Sequence, residues 1–452
     1  MMTLTELASA VDGTLSGKDT LFTGVSIDGR TINPGDLYVA ISGERFDGHH
    51  FVEQARQAGA TACLIEQATA TDFASVTVDK TRLALGRLAS YWRQRFDFPV
   101  IAITGSNGKT TVKELTTAIL SQQFHTLATT GNLNNELGVP LTLLKITTEH
   151  QAAVVEMGAN HPGEISYLTG LAQPTIGIVT NAGSAHLEGF GDLQGVANAK
   201  GELFANLTHH GVAIMNADDV FYPDWKNMAG RAKILSFGLS QQADVRATCL
   251  KTEHAAQITN SKFMLEYRGQ QQAVTLPLAG QHNVMNALAA AAAGIAAGLS
   301  LQVIADGLAS AVPVSGRLQV ISGLNQSIIV NNCYNANPSS VEVALQTIQD
   351  MSAERWCVLA DFGELGEHSE ALHKQLARQA RHYGISRLFA TGDLTRLTAK
   401  EFGAGAEFYQ TQDELAQTLK QRLHEDVVVL IKGSRAQKLE AIVGALVDEN
   451  AS

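Results

Sequence analysis

The chain has 452 residues, 45% of them hydrophobic and 17% charged. This soluble, globular balance excludes a disordered or fibrous protein, and the length suggests about three domains of ~150 residues. A formal charge of −11 argues against a general nucleic-acid or membrane-surface binder, so any anionic ligand must be held by a local site.

Four scattered cysteines (Cys63, Cys249, Cys333, Cys357) contain no CxxC pair. That excludes a disulfide framework and a cysteine zinc site, and it suits a reducing, cytoplasmic compartment. The amino terminus lacks a basic start followed by an apolar run, so no signal peptide is expected. The most apolar stretch, Ala287 to Leu299, is too short to span a bilayer, and no membrane insertion is expected.

Along the chain, residues 1–80 alternate short apolar runs with turn signals. Strand candidates are Val25 to Ile27, Leu37 to Ile41 and Ala62 to Glu66, with a helix-like segment from Phe51 to Ala58. This predicts a small α/β domain. Residues 81–95 predict an amphipathic helix, ended by Asp97-Phe98-Pro99. The block 81–312 then alternates strands and helices as a parallel sheet does. Its buried-strand candidates are Val100 to Ile103, Ala153 to Val155, Ile176 to Val179 and Val212 to Met215. Period-two texture from Asp244 to Leu278 predicts an antiparallel patch, and an almost wholly apolar helix follows with Asn283 near its start. The block 313–452 repeats strand and helix in a second doubly wound pattern. Strands are expected around Val330, Val358, Phe389 and Val429, and helices over 339–349 and 369–383.

The strongest local signal is an apolar strand running into Thr104-Gly105-Ser106-Asn107-Gly108-Lys109-Thr110-Thr111, with a helix from Val112 onward. Glycines let backbone N–H groups curl around phosphate oxygens, and the helix amino end adds positive potential. Lys109 neutralises β/γ-phosphate charge in such a loop, and the Thr110 hydroxyl ligates Mg²⁺. The spacing is G-x-x-G-K-T, short of the full Walker pattern.

Ligands of open parallel sheets sit beyond the carboxyl ends of the strands. Glu156, Asn181 and, five residues on, His186 fall there. Glu156 is a candidate to hold a divalent cation opposite Thr110, and His186 a further ligand, although imidazole is an uncommon partner for Mg²⁺. Taken singly, a solvated glutamate and a structural histidine are the plainer readings. Lys200, placed at a helix start, reads on composition alone as an exposed lysine.

These segments, with Gln281-His282-Asn283-Val284-Met285-Asn286-Ala287, resemble the Mur ligases, ATP-dependent amide ligases of bacterial cell-wall assembly. Gly131 to Pro140, Tyr334-Asn335-Ala336-Asn337-Pro338 and His186 to Gly191 narrow the resemblance to the branch that adds D-alanyl-D-alanine to UDP-MurNAc-tripeptide. The resemblance covers about Val25 to Arg435 and implies a three-domain α/β fold. A central P-loop parallel-sheet ATPase domain is flanked by a small UDP-binding domain and a carboxy-terminal Rossmann-like domain.

It further implies that Ser26, Asp28, Arg30, Asp47 and His49 serve the uridine nucleotide, and that Asn132, Asn134 and Asn135 lie along the muramoyl-peptide. Gly105 to Thr111, Asn283, Arg317 and Asn332 would serve ATP. Asp361 to Gly366, Tyr334, Asn335, Lys432 and Ser434 would face the incoming dipeptide or close over ATP. The implied cofactors are ATP and Mg²⁺, with CO₂ as a carbamate on Lys200 that holds a second metal together with His186. The enzyme would be a monomer. Asn331-Asn332-Cys333 stands where the family usually reads Asp-Asp-Ser, so Asn332 keeps a hydrogen bond but no charge toward the ribose. Two rivals remain: a relative adding a single amino acid, and a switch that merely hydrolyses ATP.

Overall fold

The computed structural model describes residues 1–43, 47–67, 72–184, 187–255, 258–349, 351, 354–363 and 365–448, without the side chains of 252–255, 258–259 and 367. His186 and Glu364 lie outside the described residues. Three large sheets follow one another along the chain, beside a two-stranded pair, Met2–Thr3 with Leu21–Phe22.

In the amino-terminal sheet, Gly24–Ser26, Asp36–Val39, Ala62–Ile65 and Ser75–Thr77 pair in parallel, and Thr14–Ser16 adds an antiparallel edge. The predicted helix at Phe51 divides into a 3₁₀ turn, Gly48–Phe51, and a helix, Val52–Gln57. The helix Thr81–Arg93 buries Leu85, Leu88 and Ala89 in a core that runs without a break from this sheet to one face of the next.

In the central sheet, Val100–Thr104 lies between Ala152–Glu156 and Ile176–Val179, all parallel. Val212–Asn216 and Lys233–Gly238 extend it in parallel. Val245–Ala255 joins in parallel, and Ile258–Tyr267 and Gln270–Leu276 follow it antiparallel to finish one side. Thr126–Ala128 forms the other edge. Strands buried on both faces read as continuous apolar runs, which is why the central ones stand out in the sequence. The second face is covered by the alanine-rich helix Gln281–Ala296, whose small side chains let it sit close to the sheet.

The carboxy-terminal sheet carries five parallel strands, Ile328–Asn331, Val427–Lys432, Glu354–Ala360, Arg387–Thr391 and Ala406–Tyr409. Gln319–Ser322 is its antiparallel edge. Helices cover both faces.

One sequence expectation is corrected here. Lys200 sits in the middle of the helix Leu193–Ala205, not at its start; the helix begins at Asp192, whose side chain accepts the Gly195 N–H at 2.8 Å. That helix is held by Trp225, fully buried, whose indole N–H donates to the Ala197 carbonyl at 3.0 Å and whose ring meets Phe204 edge-on. Trp225→Ala is expected to cost about 3–5 kcal/mol, measured by urea unfolding.

Candidate active site

The phosphate loop is shaped by close approach. Gly105 has φ +143° and a Cβ there would stand 1.9 Å from the Thr180 hydroxyl; Gly108, at φ +82°, would place one 2.4 Å from Asn286 Oδ1. No side chain fits either position. The loop backbone is pinned from the neighbouring strand. Ser106 N–H donates to the Asn181 carbonyl (3.0 Å), Asn107 N–H to Asn181 Oδ1 (3.0 Å), and the Thr180 hydroxyl to the Asn107 carbonyl (2.6 Å). The helix Lys109–Leu120 starts here, so its first N–H groups lack intrahelical partners and face whatever fills the loop. Lys109 Nζ folds back onto the Gly105 carbonyl at 2.8 Å. Burial lowers its pKa, opposed by Glu156.

Glu156 ends the adjacent strand and is 2% exposed. Asn134 Nδ2 donates to its Oε1 at 2.8 Å, while its Oε2 is buried without a partner among the described residues. Asn134 therefore orients this carboxylate instead of lying wholly along a substrate. A buried carboxylate oxygen left unpaired costs free energy unless a cation completes it. Among the described residues no group of three or more His, Cys, Asp or Glu is placed to hold a metal. The donor set thus suits a hard cation bound through a hydroxyl, one carboxylate and nucleotide oxygens, as Mg²⁺ is. The Thr110 hydroxyl accepts from Arg317 Nη2 at 2.8 Å.

Lys200 is 1% exposed, with Nζ 3.4 Å from the Ala159 carbonyl and 5.0 Å from the centre of the Phe190 ring. Burial, and secondarily Lys109, push its pKa down to about 7.

A cavity of about 850 Å³ joins the phosphate loop and Glu156, while Thr110 and Lys200 are not among its lining residues. Lys109, Asn132, Asn134, Asn135 and Glu156 line it from the central sheet, and Arg317, Asn332, Tyr334, Asn335 and Lys432 from the carboxy-terminal one. Arg317 stacks over Tyr334 at 4.3 Å. Lys432 Nζ donates to the Asn335 carbonyl at 3.0 Å, and burial holds its pKa at about 7. Ser434 is buried at the same strand end, and its N–H donates to the Asp361 carbonyl. The Asp361 carboxylate is committed to the turn it faces, accepting from Leu394 N–H and Thr395 N–H.

Ser339, which the sequence offered only as a helix start, joins Asn107 and Asn337 in a bridge between the sheets. Asn107 Nδ2 donates to Ser339 Oγ (3.0 Å), and Asn337 Nδ2 donates to Asn107 Oδ1 (2.9 Å). Asn283 borders the cavity, but its amide is engaged by the Ala279 carbonyl (2.7 Å) and by Asn286 Nδ2 (3.3 Å). Next to it His282 leaves Nε2 buried and without a partner among the described residues.

The amino-terminal candidates are not on this cavity. The Ser26 hydroxyl accepts the Asp28 N–H (3.1 Å), and Asp28 pairs with Arg30, which holds the Asp28 carboxyl down at about 2. His49 is occupied at both nitrogens: Nδ1 meets Asp47 at 2.6 Å and Nε2 accepts the Glu66 N–H at 2.8 Å. It braces the turn and has no ring nitrogen to spare.

A phosphate-gripping loop, a cation-seeking carboxylate and a cleft closed by a second α/β layer define an enzyme that activates its substrate with a nucleotide. Three family models match: "Mur ligase family, catalytic domain" over residues 21–93, "Mur ligase middle domain" over 103–294 and "Mur ligase, glutamate ligase domain" over 316–435. The chain is 41% identical to the UDP-N-acetylmuramoyl-tripeptide--D-alanyl-D-alanine ligase of Escherichia coli K12, with 98% of each chain covered. It is 34% identical to the ligase of the same name from Bacillus subtilis, over 99% of this chain and 98% of that one. A crystal structure of MurF from Acinetobacter baumannii superposes with a TM-score of 0.91 at 36% identity, covering 98% of both chains. MurF from Thermotoga maritima in complex with ADP superposes at 0.83, with 27% identity over 95% of this chain and 98% of that one. The chain belongs to the Mur ligase family, and it is an ATP-dependent, ADP-forming ligase.

Gly105→Ala is expected to weaken ATP binding at least about tenfold, since the methyl must displace Thr180 or the loop; calorimetric titration reads it.

Proposed function

We propose that this chain joins D-alanyl-D-alanine to UDP-MurNAc-tripeptide, in a cytoplasmic step of peptidoglycan precursor synthesis. The observation that carries the reading is one cavity with Lys109 and the half-satisfied Glu156 on its central wall and Arg317, Tyr334 and Lys432 opposite. In this reading residues 1–80 take the uridine nucleotide, 81–312 take ATP, and 313–452 bring the dipeptide.

A carboxylate does not condense with an amine at neutral pH, because its oxygen is a poor leaving group. Transfer of the γ-phosphoryl group to the tripeptide carboxylate releases ADP and makes an acyl phosphate. The dipeptide amine attacks its carbonyl carbon, the C–N bond forms, the tetrahedral intermediate expels phosphate, and the amine proton leaves to solvent. The chain's part is positioning and charge stabilisation. Loop N–H groups and Lys109 would hold the phosphates, Arg317, which donates to Thr110 and lines the same cavity, would offset charge on the transferred group, and Asn134 would keep Glu156 turned toward the cation. Mg²⁺, held by Thr110 and Glu156 with His186 and a carbamylated Lys200 at a second position, would neutralise phosphate charge.

An amine takes up CO₂ only when neutral. The nitrogen lone pair forms the N–C bond, a carbonyl electron pair moves onto oxygen, and the proton goes to solvent. A Lys200 pKa near 7 makes this accessible at neutral pH.

Four measurements test the reading. Turnover to ADP and phosphate should require ATP, UDP-tripeptide and D-alanyl-D-alanine together, with single amino acids inactive; rapid turnover with ATP alone would sink it. Lys109→Ala should abolish ligation yet keep UDP-tripeptide affinity within about twofold, an outcome expected if the two sites are separate. With ¹³C-bicarbonate, a carbamate NMR signal should be present at pH 8, fade as pH falls through about 7, and be missing in Lys200→Ala. Formate should partly restore the activity of that variant.

A further inference from the structure

Lys113 is a buried cation that the mechanism above does not use. It lies one turn beyond Lys109 on the helix Lys109–Leu120 and is only 2% exposed. A lysine this deep is costly unless its ammonium has work to do. Its Nζ donates to the Thr129 carbonyl at 2.9 Å, and the Glu114 carboxylate stands 2.6 Å away.

Thr129 is itself 2% exposed and sits between the edge strand Thr126–Ala128 and the asparagine-rich segment from Gly131. Its hydroxyl accepts the Glu156 N–H at 3.0 Å, and its own N–H donates to the Val154 carbonyl at 3.0 Å. Asn134, five residues on, donates to Glu156 Oε1, and the Asn134 carbonyl accepts the Gly158 N–H at 2.8 Å. Both ends of the Thr129–Asn134 turn therefore hold Glu156, one by its main chain and one by its carboxylate. The ammonium of Lys113 clamps that turn to the helix whose first turn faces the phosphates.

We propose that Lys113 is a positioning residue for the metal carboxylate: through Thr129 it fixes Glu156 Oε2 relative to the phosphate loop. The inference rests on the reading of Glu156 as a cation ligand. It adds that the carboxylate's orientation is set by a lysine that touches neither metal nor substrate. Outer partners of this kind typically govern metal affinity by about ten- to a hundredfold.

The test measures metal binding directly on the full chain, by electron paramagnetic resonance of Mn²⁺ titrated with ATP present, beside the Mg²⁺ dependence of turnover. Lys113→Met and Thr129→Val should each raise half-saturating Mn²⁺ about tenfold, while UDP-tripeptide affinity stays within about twofold. Thr129→Ser, which keeps the hydroxyl, should behave as the unaltered protein. The double variant should be no worse than the poorer single one, because both act through one turn. A lower Tm with unchanged Mn²⁺ binding in Lys113→Met would leave Lys113 a packing residue and overturn the proposal. If Lys113→Met does not fold, the Thr129 pair decides: equal Mn²⁺ binding in Thr129→Val and Thr129→Ser overturns it. Failure of the unaltered protein, or equal binding by it and Glu156→Gln, would sink the cation reading itself.

Discussion

The site depends on the register of three parallel strands. Glu156 pairs with Ile103, and Val179 pairs with Thr104, so the phosphate loop, the carboxylate and the Thr180-Asn181 turn emerge side by side at one edge. Each strand is buried along its whole length. A one-residue slip would turn every apolar side chain to the opposite face and carry Glu156 away from Lys109.

The charge arrangement follows from that placement. On a chain of net charge −11, Lys109, Lys200, Arg317 and Lys432 crowd around or beneath one cavity, and each has its pKa lowered first by burial. Lys200 and Lys432 are both pushed down to about 7. A polyphosphate entering this space would raise the pKa of Lys109, Arg317 and Lys432, which line it, and the resulting gain in charge–charge attraction favours the ligand over water. Because these cations are fixed by packing before anything binds, little reorganisation is left for the moment of reaction.

Much of this was legible because burial on both faces writes itself as continuous apolar runs, and because a glycine-rich loop between strand and helix has few other uses. Elsewhere tertiary partners overrode the local signal. Lys233–Gly238 escaped notice because Ser236 interrupts the run, its buried hydroxyl satisfied by Asp244 at 2.7 Å. The edge strand Thr126–Ala128 is short and half-buried throughout. Lys200 sits half a helix beyond the expected start because the N-cap is Asp192, after a glycine. His49 matched a nucleotide motif, but its ring is spent on Asp47 and on a backbone group seventeen residues away, which no spacing rule can reveal. Lys113 shares a helical face with the buried Thr116 and Leu120, and its ammonium is met there by the Thr129 carbonyl and the Glu114 carboxylate.

The cavity also shows why amides outnumber carboxylates around a site built for anions. A carboxylate accepts hydrogen bonds only and repels phosphate, whereas an amide both donates and accepts without net charge. Asn107 uses this fully. Its backbone is locked by Thr180 and Asn181, while its side chain donates to Ser339 and accepts from Asn337, more than two hundred residues away. Aspartate there would lose the bond to Ser339 as a donor and set a negative charge beside the phosphates; serine would not reach both partners. The same reasoning bears on Asn332: a neutral amide on that wall adds no negative charge to the cavity. Docking of the carboxy-terminal sheet is thus registered at the phosphate loop itself, by a residue whose two functional groups can be satisfied together only when the two halves of the cleft meet.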